Sequence, residues 1–229
     1  MMSRRRSIEQ IVEDQVKKWG FEHKPPSAQT HPITVVTVSR EPGSGGRLIA
    51  SGIAECLGFD LFHQEVIHEM AQSAHVSNRV IESLDEKGLS MLEDWVAASV
   101  HKHFLWPDEY LQLLLKVIGT IGRHGNAVLV GRGANFVLAP ENTFRLRIIA
   151  SKAFRARKVA EAFDIPVKDA ERRILKTESD RRAFIQKYYH KDIEDPTYYD
   201  MVINTDHIRL EEAIECVCQV IKRTQEPSG

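Results

Sequence analysis

The chain has 229 residues, 42% hydrophobic and 28% charged, which is enough for one substantial core with a subdomain and excludes a small disordered protein. Thirty-one Lys and Arg oppose thirty-two Asp and Glu, so a formal net charge of −1 draws it neither to a nucleic acid polymer nor to an anionic membrane, and phosphate-binding charge must be local. Cys56, Cys216 and Cys218 fit no disulfide or metal framework and suit a reducing cytoplasm.

The start of the chain, residues 1–7, is basic but runs into no apolar signal region, so secretion is not expected. Ile8, Ile11, Val12, Val16 and Trp19 recur at helical spacing and predict an amphipathic helix over residues 7–19, with Gly20 as its stop. A breaker-rich connector with Pro25, Pro26 and Pro32 follows, making residues 1–32 an N-terminal helix and linker ahead of a main domain over 33–229. The apolar stripe of that helix must be covered, either by its own domain or by a second copy in a homo-oligomer.

The β-branched run 33–38 predicts a strand buried on both faces. A turn-forming loop, Ser39-Arg40-Glu41-Pro42-Gly43-Ser44-Gly45-Gly46, leads into a helix over 47–57 that Gly58 ends. Residues 59–62 predict a short second strand. Residues 63–125 carry helical patterning only, including an apolar run at 111–118 that Gln112 and Lys116 interrupt and that is too short to span a membrane. Strands return at 127–130, 144–150 and 201–203, each followed by helix or turn signals, and a last helix covers 210–223. Strands alternating with helices predict a parallel α/β sheet.

Strand, glycine-rich turn and helix in succession aim free backbone N–H groups and the positive end of a helix at an anion. Gly43, Ser44, Gly45, Gly46 and Arg47 are therefore the expected ATP-binding set. Against G-x-x-x-x-G-K-[ST], however, Arg40 stands at the first glycine, Gly45 at the second, Gly46 at the lysine and Arg47 at the hydroxyl. Arg47 is the expected substitute for the lysine's charge, and Glu41 is expected to point away or to help hold a metal. A dinucleotide loop fits less well, because Gly43-x-Gly45 lacks its third glycine, Leu48 standing there.

Together with Val130-Gly131-Arg132-Gly133-Ala134-Asn135 and Tyr198-Tyr199-Asp200-Met201-Val202-Ile203-Asn204-Thr205, this loop resembles the cytidylate kinase-like family, relatives of nucleoside monophosphate kinases, over about residues 33–221. The resemblance implies a P-loop NTPase-type parallel sheet flanked by helices, with a helical acceptor-binding insertion at 63–125 and a lid at about 151–190. It also implies ATP with Mg²⁺ as phosphoryl donor and CMP or dCMP as acceptor. Established cytidylate kinases carry the lysine and a following hydroxyl in this loop, and in that comparison Gly46 and Leu48 stand at those positions here. They also carry Ser and Arg after the second strand, where this chain has Phe62-His63-Gln64-Glu65 and His68. A non-catalytic nucleotide sensor with a degenerate loop is the alternative.

Phosphoryl transfer needs positive charge around the equatorial oxygens, so arginines converging from separate elements are the expected equipment. Arg47, Arg132, Arg155 and Arg181 are the catalytic candidates. Arg132, flanked by glycines after a buried strand, is expected on the acceptor phosphate, and Asp180 on an acceptor hydroxyl or another arginine. The metal ligands are not readable, since His63, His68, His75, His101 and His103 lack a zinc-type spacing.

Overall fold

The centre of the sheet is set by β1 (Val35–Arg40), all six of whose residues are buried. The computed structural model describes residues 8–21, 33–72, 74–103 and 109–225. With β2 (Asp60–Phe62), β3 (Ala127–Val130), β4 (Thr143–Ile149) and β5 (Met201–Asn204) it forms a five-stranded parallel sheet in the order β2-β3-β1-β4-β5. Val36 lies between Val128 and Phe144, and Val38 between Val130 and Leu146. The order reverses at β1, and ligands of open α/β sheets bind beyond the carboxyl ends at that point. The strand begins and ends two residues later than the β-branched run suggests, because Ser39 and Arg40 pair with Arg147 and Ile148 of β4.

Helix α2 (Gly46–Leu57) lays Ile49, Ala50, Ile53 and Ala54 on Val36 and Val38 and shares that core with Ala213, Val217, Cys218 and Ile221 of α10 (Leu210–Gln225). Gly58 ends α2 at φ 68°, as the sequence expects. Cys218 is buried, whereas Cys216 and Cys56 are exposed. Burial first, and the neighbouring Cys56 second, push the Cys218 thiol up to about 12.

Two arginines alternate in β4. Arg145 grips Asp200 through Nη2–Oδ1 at 2.6 Å and Nε–Oδ2 at 3.1 Å, locking the start of β5 to β4. Burial alone would raise the Asp200 carboxyl, but the side-chain and backbone hydrogen bonds from Arg145 and its charge outweigh burial and hold it below the usual carboxylate range. This contribution is present above the ordinary Asp pKa and is lost as pH falls through the depressed one.

Beyond β3 comes the single turn α7 (Ala134–Val137). The expected lid segment divides into α8 (Lys152–Phe163) and α9 (Val167–Tyr189), broken by Asp164 at φ 51° and by Pro166. Ala156, Val159, Ala170 and Ile174 form the seam between them.

The helices α3 (Gln64–Gln72), α4 (Ala74–Ile81), α5 (Glu86–His103) and α6 (Glu109–His124) form a second compact unit, together with α1 (Ile8–Phe21). Leu111, Leu114, Leu115, Ile118 and Ile121 bury the inner face of α6. Val12 and Trp19 of α1 are buried as well, Trp19 stacking on His124 with ring centroids 4.1 Å apart, while Glu13 pairs with Arg79 at 3.2 Å. Part of the stripe that sequence leaves to be covered is thus packed inside the same unit as residues 63–125, whereas the connector at 25–32 lies outside the described residues. No helix among the described residues is long and apolar enough to cross a membrane.

Trp19→Ala empties a stacked, buried site, so unfolding in urea followed by circular dichroism should show a loss of about 3–5 kcal/mol. An unchanged midpoint would mean that α1 contributes no packing.

Candidate functional site

The glycine loop bridges β1 and α2. Gly43 has φ 82°, and a Cβ there would lie 2.7 Å from the Arg155 carbonyl oxygen, so both backbone angle and space require glycine. Gly45 caps α2 at φ 78° without a side-chain bond, leaving the first N–H groups of the helix without intrahelical acceptors. This is an anion-binding arrangement.

The Ser44 and Glu41 side chains of the loop turn away from that mouth. Ser44, expected in the ATP-binding set, is fully buried: its hydroxyl donates to the Glu41 carbonyl at 2.9 Å with the Ile148 carbonyl at 3.3 Å, and its N–H donates to the Glu41 carbonyl at 3.3 Å. The Thr205 hydroxyl donates to the Ser44 carbonyl at 2.9 Å. Glu41 points away from the mouth: its Oε2 accepts from Ala150 N–H at 3.0 Å and lies 3.2 Å from Arg155 Nε.

Arg155 is the buried hub. Its side chain is only 3% exposed, and it donates to the Ala150 carbonyl at 2.8 Å, to the Pro42 carbonyl at 3.5 Å and to Glu178 Oε1 at 2.5 Å. Sequence reading places Arg155 on phosphate. The geometry occupies its donors within the fold, where it ties the loop to α8 and α9.

The other expected cations lie at different distances from the loop. Arg181 Nη1 donates to the Arg40 carbonyl at 2.8 Å, bringing α9 to the head of the loop. Arg132 sits between Gly131 and Gly133 with all three at positive φ, 81°, 56° and 71°, and its carbonyl accepts from Tyr189 Oη at 2.7 Å. Its guanidinium lies 5.3 Å from the centre of the Phe184 ring, one turn along α9 from Arg181, so the Arg132 and Arg181 side chains share one face of that helix. Arg47 is exposed on the first turn of α2. Asp180 is exposed too, and successive helix residues diverge by roughly 100°, so it leaves the face that Arg181 occupies.

Sequence reading missed a buried polar group beneath the loop. Arg147 Nη1 donates to Ser39 Oγ at 3.0 Å, and Tyr199 Oη lies 3.3 Å from Ser39 Oγ and 2.8 Å from the Ile193 carbonyl. Burial foremost pushes the Tyr199 phenol up, against a smaller downward pull from Ser39 and Arg147, so it remains a proton donor. The available signal was Arg145 and Arg147 alternating with Phe144, Leu146 and Ile148 in β4.

Beside the loop opens a cleft of about 860 Å³, walled by Gly43, Gly45, α8 and residues 205–211. Leu48, Phe163 and Ile208 line it and are 63%, 51% and 42% exposed, so unusually large apolar surface faces solvent in one concavity. Its size suits a base and sugar.

Magnesium fits this loop poorly. Arg47 stands where a hydroxyl would coordinate, the Ser44 and Glu41 oxygens are engaged as described, and Ser51 Oγ donates to the Arg47 carbonyl at 3.1 Å. Among the described residues no three His, Cys, Asp or Glu are placed to hold a metal ion.

Arg155→Met should leave Glu41 and Glu178 without their shared cation and lower the unfolding free energy by about 3 kcal/mol, measured by denaturant titration. Wild-type stability in this variant would remove Arg155 from the role of hub.

Residues 35–207 match the model of the cytidylate kinase-like family. A cytidylate kinase of Pyrobaculum aerophilum is 26% identical over 183 residues, covering 80% of this chain and 89% of that one. One from Natronomonas pharaonis is 27% identical over 174 residues, covering 75% and 80%. Among solved structures, an uncharacterized protein from Eubacterium ventriosum ATCC 27560 superposes with a TM-score of 0.57 at 20% identity, over 82% of this chain and 98% of its own, a likeness of fold.

Proposed function

The chain belongs to the cytidylate kinase-like family, and from that premise we propose that it is a nucleotide kinase of the cytoplasm, transferring the γ-phosphoryl group of ATP to a nucleoside monophosphate, CMP or dCMP first. The observation that carries this reading is the open glycine loop beside the apolar cleft. The loop's N–H groups and the start of α2 receive the donor phosphates, and the cleft between Leu48, Phe163 and Ile208 receives the donor base. Magnesium enters as part of the substrate, bound to the nucleotide's phosphates, since the loop's side chains do not form a site for it.

Arg181 and Arg47 bring charge to the donor phosphates from opposite sides of the loop. Arg132 takes the acceptor phosphate, whereas Asp180, off the α9 face that Arg132 and Arg181 share, takes no part in holding the acceptor. Arg155 acts through the loop, holding the shape that Gly43 to Gly46 present. A second reading, a nucleotide sensor without transfer, draws on the missing lysine and the inward Ser44.

Radiolabelled ATP offered with a panel of monophosphates separates the two. Labelled CDP or dCDP is the expected product; tight ATP binding with no labelled diphosphate from any acceptor would leave the sensor. Arg132→Ala should raise the acceptor KM while sparing ATP affinity, because a positioning contact exists already in the ground state. An unchanged acceptor dependence would reduce Arg132 to a turn residue.

A further inference from the structure

In the common phosphate loop a glycine ends the strand and a lysine opens the helix. This chain has Arg40 at the first place and Gly46 at the second. The two positions share one volume. A Cβ on Gly46 would lie 2.5 Å from Arg40 Cβ, 3.1 Å from Arg40 Cγ and 3.4 Å from Ile148 Cβ. Neither neighbour can retreat, since Arg40 ends β1 in register with Ile148 and its carbonyl is held by Arg181. Only one of positions 40 and 46 can therefore carry a long side chain. An arginine at 40 requires glycine at 46, and a lysine at 46 requires glycine at 40, since the clash is already with the Arg40 Cβ.

We infer that the exchange is compensatory: Arg40, from the tip of the central strand, supplies the positive charge that the loop's lysine supplies elsewhere. This rests on the kinase reading above. Arg40 is 8% exposed, and its stem fills the space that a side chain on Gly46 would need. Its guanidinium keeps its charge under such burial, whereas a lysine ammonium loses its proton readily when desolvated. During transfer, an acceptor phosphate oxygen forms a bond to the γ-phosphorus as the bond to the β,γ-bridging oxygen breaks, and ADP departs with the electron pair. Negative charge grows on that bridging oxygen and on the equatorial oxygens, and Arg40 stabilises it without exchanging a proton. Arg47 then acts as a peripheral cation rather than as the lysine's replacement.

The inference is tested with four full-length variants: Arg40→Gln, Arg40→Lys, Gly46→Lys and the exchange Arg40→Gly/Gly46→Lys. Thermal unfolding, ATP and ADP dissociation constants and steady-state kinetics are measured for each. Arg40→Gln keeps most of the stem and should lower kcat on the order of 10³-fold with a much smaller change in acceptor KM. Arg40→Lys should recover part of that loss. Gly46→Lys should lower the melting temperature, and the exchange should restore it together with turnover above that of Arg40→Gln. An Arg40→Gln enzyme with wild-type kcat overturns the inference, and so does an exchange variant no more stable than Gly46→Lys. If the wild type phosphorylates no acceptor, the kinase reading fails separately, and the ligand constants decide. Loss of the preference for ATP over ADP in Arg40→Gln then supports Arg40 as the γ-phosphate cation, and a retained preference refutes it.

Discussion

A guanidinium without solvent, held between two carboxylates, fixes the shape of the phosphate loop. Arg155 reaches Glu41 inside the loop, Glu178 on α9, the Ala150 carbonyl at the β4 to α8 junction and the Pro42 carbonyl in the loop. Replacing such a network by apolar residues need not cost stability, so its worth lies in geometry: the pairs form only when loop, α8 and α9 hold one relation. Gly43 packs on the Arg155 carbonyl, which adds steric closure to electrostatic closure. A loop fixed in this way can present N–H groups without the side-chain caps that helix starts usually use.

The near-neutral chain concentrates its useful charge in a small place. Arg181 binds the carbonyl that ends β1, and Arg132 lies over Phe184 on the same face of α9. Glu178 and Arg181 are one turn apart on that helix, the first holding the loop through Arg155 and the second through the backbone of Arg40. Any displacement of α9 therefore acts on the loop at Arg40 and, through Arg155, at Glu41 and Pro42. The segment expected from sequence to be a lid is in this sense part of the glycine loop's scaffold.

Sequence periodicity located the five strands of the sheet and the helices α1, α2 and α10, because parallel strands buried on both faces leave apolar runs and Gly58 marks a helix end, but it did not divide residues 63–125 or 151–190 into their helices. It placed the end of β1 too early, since Ser39 and Arg40 read as loop residues until their ladder partners on β4 are known. The glycine loop was readable from order alone. The work of its side chains was not: Ser44 and Glu41 have the chemistry of ligands, and only the positions of Ile148, Ala150 and Arg155 direct them inward. Arg155 illustrates the same limit. A charged residue on a lid helix reads equally as a phosphate contact or a solvated face, and the buried hub that it forms depends on residues 23 and 114 positions away. The packing of Trp19 on His124 was equally invisible, because nothing local to α1 names its neighbour.

The departures from the common loop motif form a set. With lysine gone from the first residue of α2, the helix start can press against the stem of Arg40, and Gly46 becomes a packing requirement rather than a lost catalytic residue. With the hydroxyl gone from the next position, the loop places no side-chain ligand before a metal, and the donor must bring its own. In the proposed site, charge then reaches the phosphates from Arg40 on the strand and Arg181 on α9, next to the Arg155 network. Substitutions that look like decay when compared one by one with a motif are consistent, in three dimensions, with a loop whose positive charge has moved from the helix to the strand.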